Sequence, residues 1–598
     1  MPILGRKIEC THAVFSRLVR DGCLLVDKSL IIKEFFEAEV VALLLRPRRF
    51  GKTLTLSMLQ HFFSAEVAGV STADLFSNFA IAKVDNGEFM RLHQGQYPVI
   101  SITFKDLKEP TLEEAIDGMR VLIQKMYREH QKLLRSEKLS TEDKALFQTY
   151  LSGLPNKSQL EEALQLLSEF LYKAHGKKAI ILIDEYDSPL TAAYVYGYVE
   201  ELSNFMRNVF SSALKDNIYL EKALMSGILR VSKNQMLSEL NNLKVYTSLD
   251  DAYGSYFGFT EAEVAELVEA VGITHGLEDI RRFYNGYFMG KTVVYNPWSL
   301  LNYLSNKELG PYWVLTSNDT VLRKVLVNSS EETKDKLSRL MQGENITDTV
   351  DVNLRYEDLI DKKESLWTLL LFAGYLTVVN KERDGLQWRC QLRIPNLEVL
   401  AQYTSIFRSY LTEDLGTTKY DTFLKSLLAG KVEQFTALLS EYLLDSFSVK
   451  DTPAIFNAEN IYHALMLGLV ASIRETHHVD SKRESGTGFY DLLLTPKTAA
   501  HSLGILLELK YLKITSTQDP VKIHALLKEH AERGLKQIED RQYETVLKRS
   551  PQVTQRLKVC MTFSGKNVLS LHQFKDLNTK TESKPQFCSF ERKIDKEY

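Results

Sequence analysis

Val40-Val41-Ala42-Leu43-Leu44-Leu45-Arg46-Pro47-Arg48-Arg49-Phe50-Gly51-Lys52-Thr53 is an apolar run that ends in a basic turn and closes on Gly-Lys-Thr. An amphipathic stretch over residues 54–63 follows, so the pattern predicts a strand, a phosphate-binding loop and a helix. Backbone N–H groups at a helix N-terminus have no helical partners and carry partial positive charge, so they can hold the phosphates of a nucleotide.

The residues of this loop have separate expected roles. Gly51 lets the backbone approach the ligand, Lys52 reaches the β- and γ-phosphates of ATP, and the Thr53 hydroxyl ligates Mg²⁺. Arg46 stands where the usual pattern has its first glycine, and we count Arg46 and Arg49 among the predicted nucleotide contacts.

A second Gly-Lys-Thr, at Gly290-Lys291-Thr292, serves as an internal control. Polar and aromatic residues precede it, and Val293-Val294-Tyr295-Asn296-Pro297 follows, so the pattern there predicts a strand and then a turn. A phosphate motif is meaningful only between a strand and a helix, so we assign the site to the first copy.

Another strand pattern ends in carboxylates. The apolar run Ala179-Ile180-Ile181-Leu182-Ile183 leads into Asp184-Glu185-Tyr186-Asp187, as expected for a parallel strand that is buried on both faces. Ligands of α/β sheets bind at the carboxyl ends of strands, so we predict that Asp184 holds Mg²⁺ through water and that Glu185 orients or deprotonates the attacking water. The alternative is an exposed acidic turn after a core strand.

Strand and helix patterns alternate through the first half of the chain, which predicts a parallel, doubly wound α/β sheet. The helix expected over residues 160–172 has Ser158 and Glu161 as a predicted capping box. Further strands are expected over residues 99–104 and 223–226, and further helices over residues 112–134 and 199–214.

Ser226 and Arg230 lie at and just after the end of the strand expected beside the carboxylate strand. In loader-type NTPases a polar residue at this place contacts the γ-phosphate or the attacking water, and a nearby arginine stabilises transition-state charge. Both are therefore predicted nucleotide contacts; the alternative is a strand-end turn with a surface arginine. Arg48, Arg49 and Arg230 would also suit a site shared between subunits, so a homo-oligomer stays open.

Composition narrows the class of protein. The chain has 598 residues, of which 44% are hydrophobic and 25% charged, as in ordinary globular proteins of several domains. The formal net charge of −3 gives no global attraction to nucleic acid or membrane. Five scattered cysteines and the absence of a secretory signal predict an intracellular protein, cytoplasmic or nuclear, without membrane contact. The most apolar stretch, residues 366–379, is too short to span a bilayer and predicts a buried helix and strand.

A third cluster of chemical groups lies near the C-terminus. Strand patterns over residues 486–494 and 504–510 put Glu508 and Lys510 on one face, because they are two residues apart, with Asp491 beside them on the neighbouring strand. Two carboxylates and a lysine on one face suit metal-dependent hydrolysis of phosphodiesters.

In this cluster Asp491 and Glu508 are the predicted Mg²⁺ ligands, and Lys510 positions the attacking water. Glu459, on a helix expected over residues 458–472, is a predicted third metal ligand, and Gln537 and Tyr543 are expected to line the cleft. The alternative is a solvated cross-strand pair on the exposed face of an edge strand.

These residues together resemble a known combination of families. The N-terminal motifs look like the AAA-ATPase-like family, in which Arg46 in place of glycine is typical; they are Asp27-Lys28, Arg46-Pro47-Arg48-Arg49-Phe50-Gly51-Lys52-Thr53, Ile183-Asp184-Glu185-Tyr186-Asp187, Gly227-Ile228-Leu229-Arg230-Val231-Ser232-Lys233, Tyr284-Asn285-Gly286-Tyr287 and Tyr295-Asn296-Pro297-Trp298-Ser299. The C-terminal stretches resemble a nuclease domain of the PD-(D/E)XK superfamily; they are Glu459-Asn460-Ile461-Tyr462-His463, Gly488 to Asp491 and Glu508-Leu509-Lys510. The resemblance implies nucleotide binding and nucleic-acid cleavage.

We therefore predict an α/β protein in several parts. A P-loop NTPase sheet occupies residues 1–260, a mostly helical lid or connector 261–447, a restriction-endonuclease-like α/β domain 448–570, and a basic tail 571–598. From Lys548 onward there are 11 Lys or Arg against 5 Asp or Glu, a surplus that suits contact with DNA or RNA phosphates; the alternative is a solvated, frayed tail.

The expected function is that ATP binding and hydrolysis bias the connector and so gate a Mg²⁺-dependent nuclease cleft. Two alternatives stay open. The chain is an ATP-driven signalling switch whose nuclease-like domain is a catalytically silent interaction or nucleic-acid-binding module, or the nuclease is active and the phosphate loop is structural.

Overall fold

The computed structural model describes most of the chain. The described residues are 3–5, 7–8, 12–230, 240–273, 276–313, 333, 336–337, 339–340, 343–352, 363–385, 387–403, 417–446, 466, 470, 473, 476–481, 484–485, 488–498, 500–512, 520–541, 547–564 and 567–589. At most the backbone is described for residues 3–4, 363–365, 417–420, 442–446, 481–489, 520–521 and 549.

The chain divides into two compact units, which are described separately. Unit 1 comprises Met1–Ser329 and Gly343–Leu400, and unit 2 comprises Ser330–Gln342 and Ala401–Tyr598. The domain boundaries expected at residues 260, 447 and 570 stay predictions.

Unit 1 contains fifteen named strands and thirteen named α-helices in its described part. The strands are β1 (Ile3–Leu4), β2 (Leu25–Val26), β3 (Val41–Leu45), β4 (Glu66–Val67), β5 (Val70–Ser71), β6 (Val99–Thr103), β7 (Ala179–Asp184), β8 (Leu220–Gly227), β9 (Leu243–Tyr246), β10 (Phe259–Thr260), β11 (Tyr287–Met289), β12 (Thr292–Tyr295), β13 (Ile346–Val350), β14 (Thr377–Asp384) and β15 (Gln387–Arg393). The helices are α1 (Phe15–Arg20), α2 (Ile31–Glu37), α3 (Lys52–Phe63), α4 (Glu88–His93), α5 (Leu112–Glu129), α6 (Thr141–Ser152), α7 (Lys157–His175), α8 (Ser188–Tyr196), α9 (Val199–Leu214), α10 (Glu261–Ala270), α11 (Leu277–Tyr284), α12 (Pro297–Asn306) and α13 (Lys363–Ala373), with 3₁₀ helices at Ala80–Gly87 and Gln131–Arg135.

The central sheet of unit 1 has five parallel strands in the order β6-β7-β8-β3-β9. Every residue of β3 and β7 is buried, as the continuous apolar runs predict for strands covered on both faces. The predicted parallel α/β sheet is therefore confirmed. Because β8 pairs with both β3 and β7, the carboxyl ends of these three strands meet at one edge of the sheet.

Two helix boundaries differ from the predicted ones. Helix α7 begins at Lys157, and its N-cap is Asn156, which forms the capping box with Gln159; the predicted box at Ser158 and Glu161 is wrong. The helix expected over residues 112–134 ends at Glu129 and continues as a 3₁₀ turn. In both cases helical periodicity located the element correctly, and a neighbouring polar residue or a tighter turn set its end.

The segment expected to be a mostly helical connector also contains two small antiparallel sheets. They are ordered β10-β12-β11 and β13-β15-β14, and both belong to unit 1. The buried helix and strand expected over residues 366–379 are present as α13 and β14. No helix among the described residues combines the length and apolar character needed to cross a membrane.

Unit 2 is built on a mixed sheet. Its strands are β16 (His477–Ser481), β17 (Glu484–Ser485), β18 (Gly488–Phe489), β19 (Leu492–Pro496), β20 (Leu503–Tyr511), β21 (Gln555–Ser564), β22 (Asn567–Asp576), β23 (Thr581–Glu582) and β24 (Gln586–Ser589). Its helices are α14 (Thr417–Leu428), α15 (Val432–Ser446) and α16 (Pro520–Asp540), with a 3₁₀ helix at Leu547–Arg549. The main sheet has the order β16-β19-β20-β21-β22-β23, and β24 pairs with β22.

Helices cover both faces of this sheet. One apolar core joins α14 and α15 to the face on which Ile505, Leu507 and Leu509 alternate along β20. The other core joins α16 to the face that carries Leu506 and Cys560. Because β20 is central and runs parallel to β21, α16 forms the crossover between the two strands.

The C-terminal residues expected to form a basic tail include sheet strands. Strand β22 extends to Asp576, and β23 and β24 pair with it. On the side of β22 that faces away from β21, the backbone N–H and C=O groups need hydrogen-bond partners. These two short strands provide partners for some of them. The described part of the tail, up to residue 589, therefore packs in unit 2.

Glycine 534 is required for the close approach of α16 to the sheet, which generates the first prediction. A Cβ atom at Gly534 would lie 2.2 Å from Cys560 Sγ on β21, a strand paired on both sides. We expect Gly534→Ala to lower the free energy of unfolding by about 1–3 kcal/mol, because overpacking forces strain into the core. Chemical denaturation measures the change.

Removal of the Cys560 sulfur tests whether its clash with the new Cβ atom causes the loss of stability. Cys560→Ala introduced into the Gly534→Ala chain should recover part of the lost stability, because the clashing atom is gone. A double variant that is less stable than the sum of the two single changes would contradict the predicted packing.

Glutamate 398 generates a second prediction. It is fully buried, and it accepts hydrogen bonds from Ser299 Oγ at 2.7 Å and from the backbone N–H of Trp313 at 2.7 Å. Burial raises the pKa of Glu398 to about 7. Since the folded state then binds more protons than the unfolded state, this carboxyl destabilises the fold increasingly as pH rises from its ordinary pKa to about 7.

The variant Glu398→Gln should therefore gain stability relative to the wild type, by up to about 3 kcal/mol, between pH 5 and pH 8. Denaturation curves at several pH values give the difference. Glu382→Gln, at an exposed position, is the control whose difference should stay constant. A pH-independent difference for Glu398→Gln would show that this carboxyl has an ordinary titration.

Candidate functional site

The loop after β3 has the backbone of an anion-binding turn. Arg49 and Gly51 adopt left-handed conformations, with φ of 67° and 86°, and helix α3 begins immediately afterwards at Lys52. Gly51 is the N-cap and has no side chain that could cap the first N–H groups of the helix. Arg48, Arg49 and Thr53 are exposed, so the helix N-terminus faces solvent with its N–H donors available.

Lysine 52 is buried, and its ammonium group is satisfied by the loop itself. Nζ donates to the carbonyl oxygens of Arg46 and Pro47, both at 2.9 Å. Burial lowers the pKa of Lys52, and the charge of Asp184 opposes this shift. Because an ammonium group has three N–H donors, a phosphate that binds here would be a third acceptor of Nζ or would replace one of these carbonyls.

Aspartate 184 joins the ends of two strands to the start of helix α3. Its Oδ2 accepts a hydrogen bond from Thr53 Oγ1 at 2.7 Å, and its Oδ1 accepts one from Ser226 Oγ at 2.5 Å. The structure thus brings together three of the predicted site residues, one from each of β7, α3 and β8. A hydroxyl beside a buried carboxylate supplies hard oxygen ligands, the type of ligand that Mg²⁺ prefers.

Glutamate 185 follows in a left-handed conformation, with φ of 50°. Its Oε2 accepts a hydrogen bond from Ser188 Oγ at 2.9 Å, at the first residue of α8. A non-glycine residue with positive φ costs energy and is common at functional sites. The half-buried carboxylate of Glu185 therefore lies beside Asp184 in a defined, constrained position.

Arginine 46 has a different environment from the one predicted. Its guanidinium group is buried and donates to the carbonyls of Leu45 at 2.9 Å and Ala252 at 3.1 Å, above the ring of Phe257. Burial lowers its pKa to about 10. This geometry favours a scaffolding role, in which Arg46 fixes the start of the loop to residues about 200 positions later, and a nucleotide contact by Arg46 stays a prediction.

Aromatic residues from later in the chain cover the side of the loop. The guanidinium carbon of Arg49 lies 4.2 Å from the ring centre of Trp298, and the ring of Phe50 packs edge-on against Tyr287 at 4.9 Å. Gly374 lies against Pro47, where a Cβ atom would come within 2.9 Å of the proline ring. The motifs around Tyr287 and Trp298 are therefore structural neighbours of the loop.

Aspartate 187 and Tyr186 are residues that sequence reasoning did not assign. Asp187 is buried and accepts hydrogen bonds from the N–H groups of Ile228 and Leu229, both at 2.9 Å, while the Tyr186 hydroxyl donates to Leu229 O. These bonds fix the turn after β8. A charged residue three positions after the strand carboxylate is the only local signal for this role.

Arginine 230 is half-buried just after this turn. Burial lowers its pKa, and Tyr186 and Asp351 oppose the shift. Its predicted contact with a nucleotide stays a prediction, since residues 231–239 lie outside the described part of the chain.

The second Gly-Lys-Thr lies in the hairpin of β11 and β12. The strand predicted after it is confirmed as β12, but the turn predicted next is wrong, because α12 begins there at Pro297. Gly290 turns between β11 and β12 with φ of 58°, and the exposed Lys291 pairs with Asp251 at 2.9 Å. Thr292 begins a strand and no helix follows it directly, so this copy lacks the N–H groups that a phosphate needs.

The C-terminal cluster lies on one face of the sheet in unit 2. Leu492 pairs with Leu507, and continuing this antiparallel register places Asp491 opposite Glu508. Lys510 Nζ lies 2.8 Å from Glu508 Oε1, and Gln537 Nε2 on α16 donates to the same oxygen at 2.7 Å. Asp491 Oδ2 accepts from the backbone N–H of Leu509 at 2.8 Å.

This cluster contains a carboxylate that is almost fully buried. Glu508 is 2% exposed on a central strand, beside Cys560, and burial raises the pKa of the Cys560 thiol, with Glu508 as the next cause. The solvated edge-strand alternative for Glu508 therefore does not fit the structure. Glu459 and Tyr543 lie outside the described residues, and within the described part no three His, Cys, Asp or Glu side chains form a metal-binding group.

Comparison with known proteins finds family models that match the two parts of the chain in which these clusters lie. Residues 11–237 match the model of the AAA-ATPase-like family, described as a predicted AAA-ATPase, and residues 457–573 match a model of the PD-(D/E)XK nuclease superfamily. A protein of Azotobacter chroococcum mcd 1, described as an uncharacterized protein in the vnfD 5' region, is 28% identical over 427 residues, which cover 69% of this chain and 73% of that protein.

The first match covers the phosphate loop, Asp184 and Ser226, and the second covers Asp491, Glu508 and Lys510. The chain thus has an N-terminal domain of the AAA-ATPase-like family and a C-terminal domain of the PD-(D/E)XK nuclease superfamily.

Proposed function

We propose that the N-terminal domain binds and hydrolyses ATP with Mg²⁺, and that the C-terminal domain hydrolyses phosphodiesters of DNA or RNA. The carrying observation is the 2.7 Å hydrogen bond between Thr53 Oγ1 and Asp184 Oδ2. It places the loop hydroxyl and the strand carboxylate at one point beside an exposed helix N-terminus, where a triphosphate and its metal would meet.

The proposed ATP site assigns one task to each residue. Lys52 binds the β- and γ-phosphates, and Thr53 and Asp184 hold Mg²⁺, which neutralises phosphate charge. Glu185 accepts the proton of the attacking water. Ser226 stays bonded to Asp184 and orients that carboxylate.

The proposed nuclease site uses the cluster on β19 and β20. Asp491 and Glu508 supply carboxylate oxygens for Mg²⁺, which stabilises the charge that develops on the scissile phosphate. Lys510 positions the attacking water, and Gln537 fixes the orientation of Glu508. Glu459 is proposed as a third ligand on the basis of the sequence alone.

A second function fits one feature of this cluster. Glu508 Oε1 already accepts hydrogen bonds from Lys510 and Gln537, which also describes a buried structural network. In this alternative, ATP drives a switch, and the C-terminal domain binds nucleic acid or another partner without cutting it. Coupling between the two sites and assembly into a homo-oligomer are further parts of the proposal.

The two Gly-Lys-Thr copies provide a matched test of ATP binding. Lys52→Ala should weaken ATP·Mg²⁺ binding by about tenfold to a hundredfold, because a charge-assisted contact with phosphate is lost. Lys291→Ala, in the exposed second copy, should leave the affinity unchanged. Calorimetry of the full chain measures both, and equal affinities of wild type and Lys52→Ala would reject the site.

Loss of Lys510 tests the nuclease. Lys510→Ala should reduce Mg²⁺-dependent cutting of single- and double-stranded DNA and RNA by at least about a hundredfold, because the water loses its positioning cation. Lys425→Ala removes the same charge from an exposed position of α14, on the opposite side of the sheet, and should cut like the wild type. If the wild type binds but does not cut these substrates, the silent-module alternative is favoured.

A further inference from the structure

Tryptophan 298 presents the face of its indole ring to the phosphate loop. The guanidinium carbon of Arg49 lies 4.2 Å from the ring centre, well within the range of a cation–π interaction. No hydrogen bond or ion pair joins the Arg49 guanidinium group to another described residue, and the side chain is exposed. The indole is therefore the neighbour that holds this cation.

The ring itself is firmly placed. Trp298 Nε1 donates to the carbonyl of Tyr312 at 3.2 Å, and Trp298 is the second residue of α12. The N-cap of that helix, Asn296, is fully buried, and its side chain accepts from the N–H of Ser299. The ring is fixed by its hydrogen bond, whereas no hydrogen bond or ion pair among the described residues holds the guanidinium group, so Arg49 is the part of the pair that is able to move.

Arg49 also lies close to the proposed reaction centre. It is two residues before the glycine N-cap of α3, and the charge of Glu185 opposes the lowering of its pKa by partial burial. A bound triphosphate at Lys52 would offer oxygen acceptors to all the guanidinium donors. Bidentate bonds between arginine and phosphate are stronger than an exposed cation–π contact, so the phosphate would win the competition.

We infer that Trp298 is a positioning residue that holds Arg49 on its indole ring until a triphosphate binds at Lys52, and that Arg49 then moves to the phosphates. This inference rests on the proposed ATP site and adds to it a residue outside the matched segment 11–237. Since Trp298 lies in the first turn of α12, release of Arg49 would report the nucleotide state to that helix.

The inference predicts the direction in which a substitution of Trp298 changes the affinity for ATP·Mg²⁺. Trp298 competes with the ligand for Arg49, so a variant without the aromatic face should bind ATP more tightly, whereas damage to the fold would weaken binding. Trp298→Leu keeps an apolar side chain and lacks the ring, and it should tighten ATP·Mg²⁺ binding by about threefold to tenfold. Trp298→Tyr keeps an aromatic face and should restore most of the wild-type affinity.

A double-mutant cycle identifies Arg49 as the intermediary. Arg49→Gln should weaken ATP binding by about tenfold, because the phosphates lose a charge-assisted contact. In the Arg49→Gln chain, Trp298→Leu should have no effect on affinity. A Trp298→Leu effect of equal size with and without Arg49 would overturn the inference, as would unchanged or weaker binding in Trp298→Leu alone.

Tryptophan emission gives an independent readout on the full chain. Saturation with ATP·Mg²⁺ should change the emission of the wild type, and the change should be absent in Trp298→Phe, although calorimetry shows that this variant binds ATP. A wild type that binds ATP with no Trp298-dependent change contradicts the inference and leaves the ATP site intact. A wild type that does not bind ATP overturns both the proposed function and the inference.

Discussion

A single buried carboxylate connects the two strand ends and the helix start on which the N-terminal site depends. Asp184 accepts from Thr53 on one oxygen and from Ser226 on the other. A carboxylate that is 6% exposed is costly without partners, so these two hydroxyls stabilise it and fix the relative positions of α3, β7 and β8. Replacing either hydroxyl by an apolar group would leave an oxygen of a buried charge without that partner.

The phosphate loop is held from the outside by residues far away in the sequence. Arg46 bonds to the carbonyl of Ala252, Phe50 packs on Tyr287, and Arg49 lies over Trp298. All three contacts use residues beyond the segment 11–237 that matches the AAA-ATPase-like family model. The later part of unit 1 is thus part of the scaffold of the loop.

The sequence predicted the parts of unit 1 that follow from local pattern. Continuous apolar runs at β3 and β7 correctly indicated buried parallel strands, and the strand or helix context separated the two Gly-Lys-Thr copies. The environment of Arg46 was not predictable, because a basic loop residue gives no sign that carbonyls about 200 positions later will bury it. The prediction of the cap of α7 failed for a related reason: Asn156 and Ser158 are both good N-cap residues, so the local sequence does not choose between them.

In unit 2 the period of two along a strand was sufficient to put Glu508 and Lys510 together, and the register adds Asp491. The role of Gly534 was not predictable. A glycine within a helical pattern indicates only low helix propensity, and its packing role becomes visible only from the distance to Cys560. The strands after residue 571 were not predicted, because the basic charge suggested a tail that contacts nucleic-acid phosphates. Their pairing with β22 depends on a sheet edge that sequence does not reveal.

Hydrogen–deuterium exchange of the full chain with and without ATP·Mg²⁺ tests the central claim most directly. If a triphosphate binds at the helix N-terminus beside Asp184, exchange should slow at residues 48–55 and 184–188, and it should not change in the hairpin around Lys291. Protection of the Lys291 hairpin instead, or tight ATP binding with no protection at residues 48–55, would contradict the account.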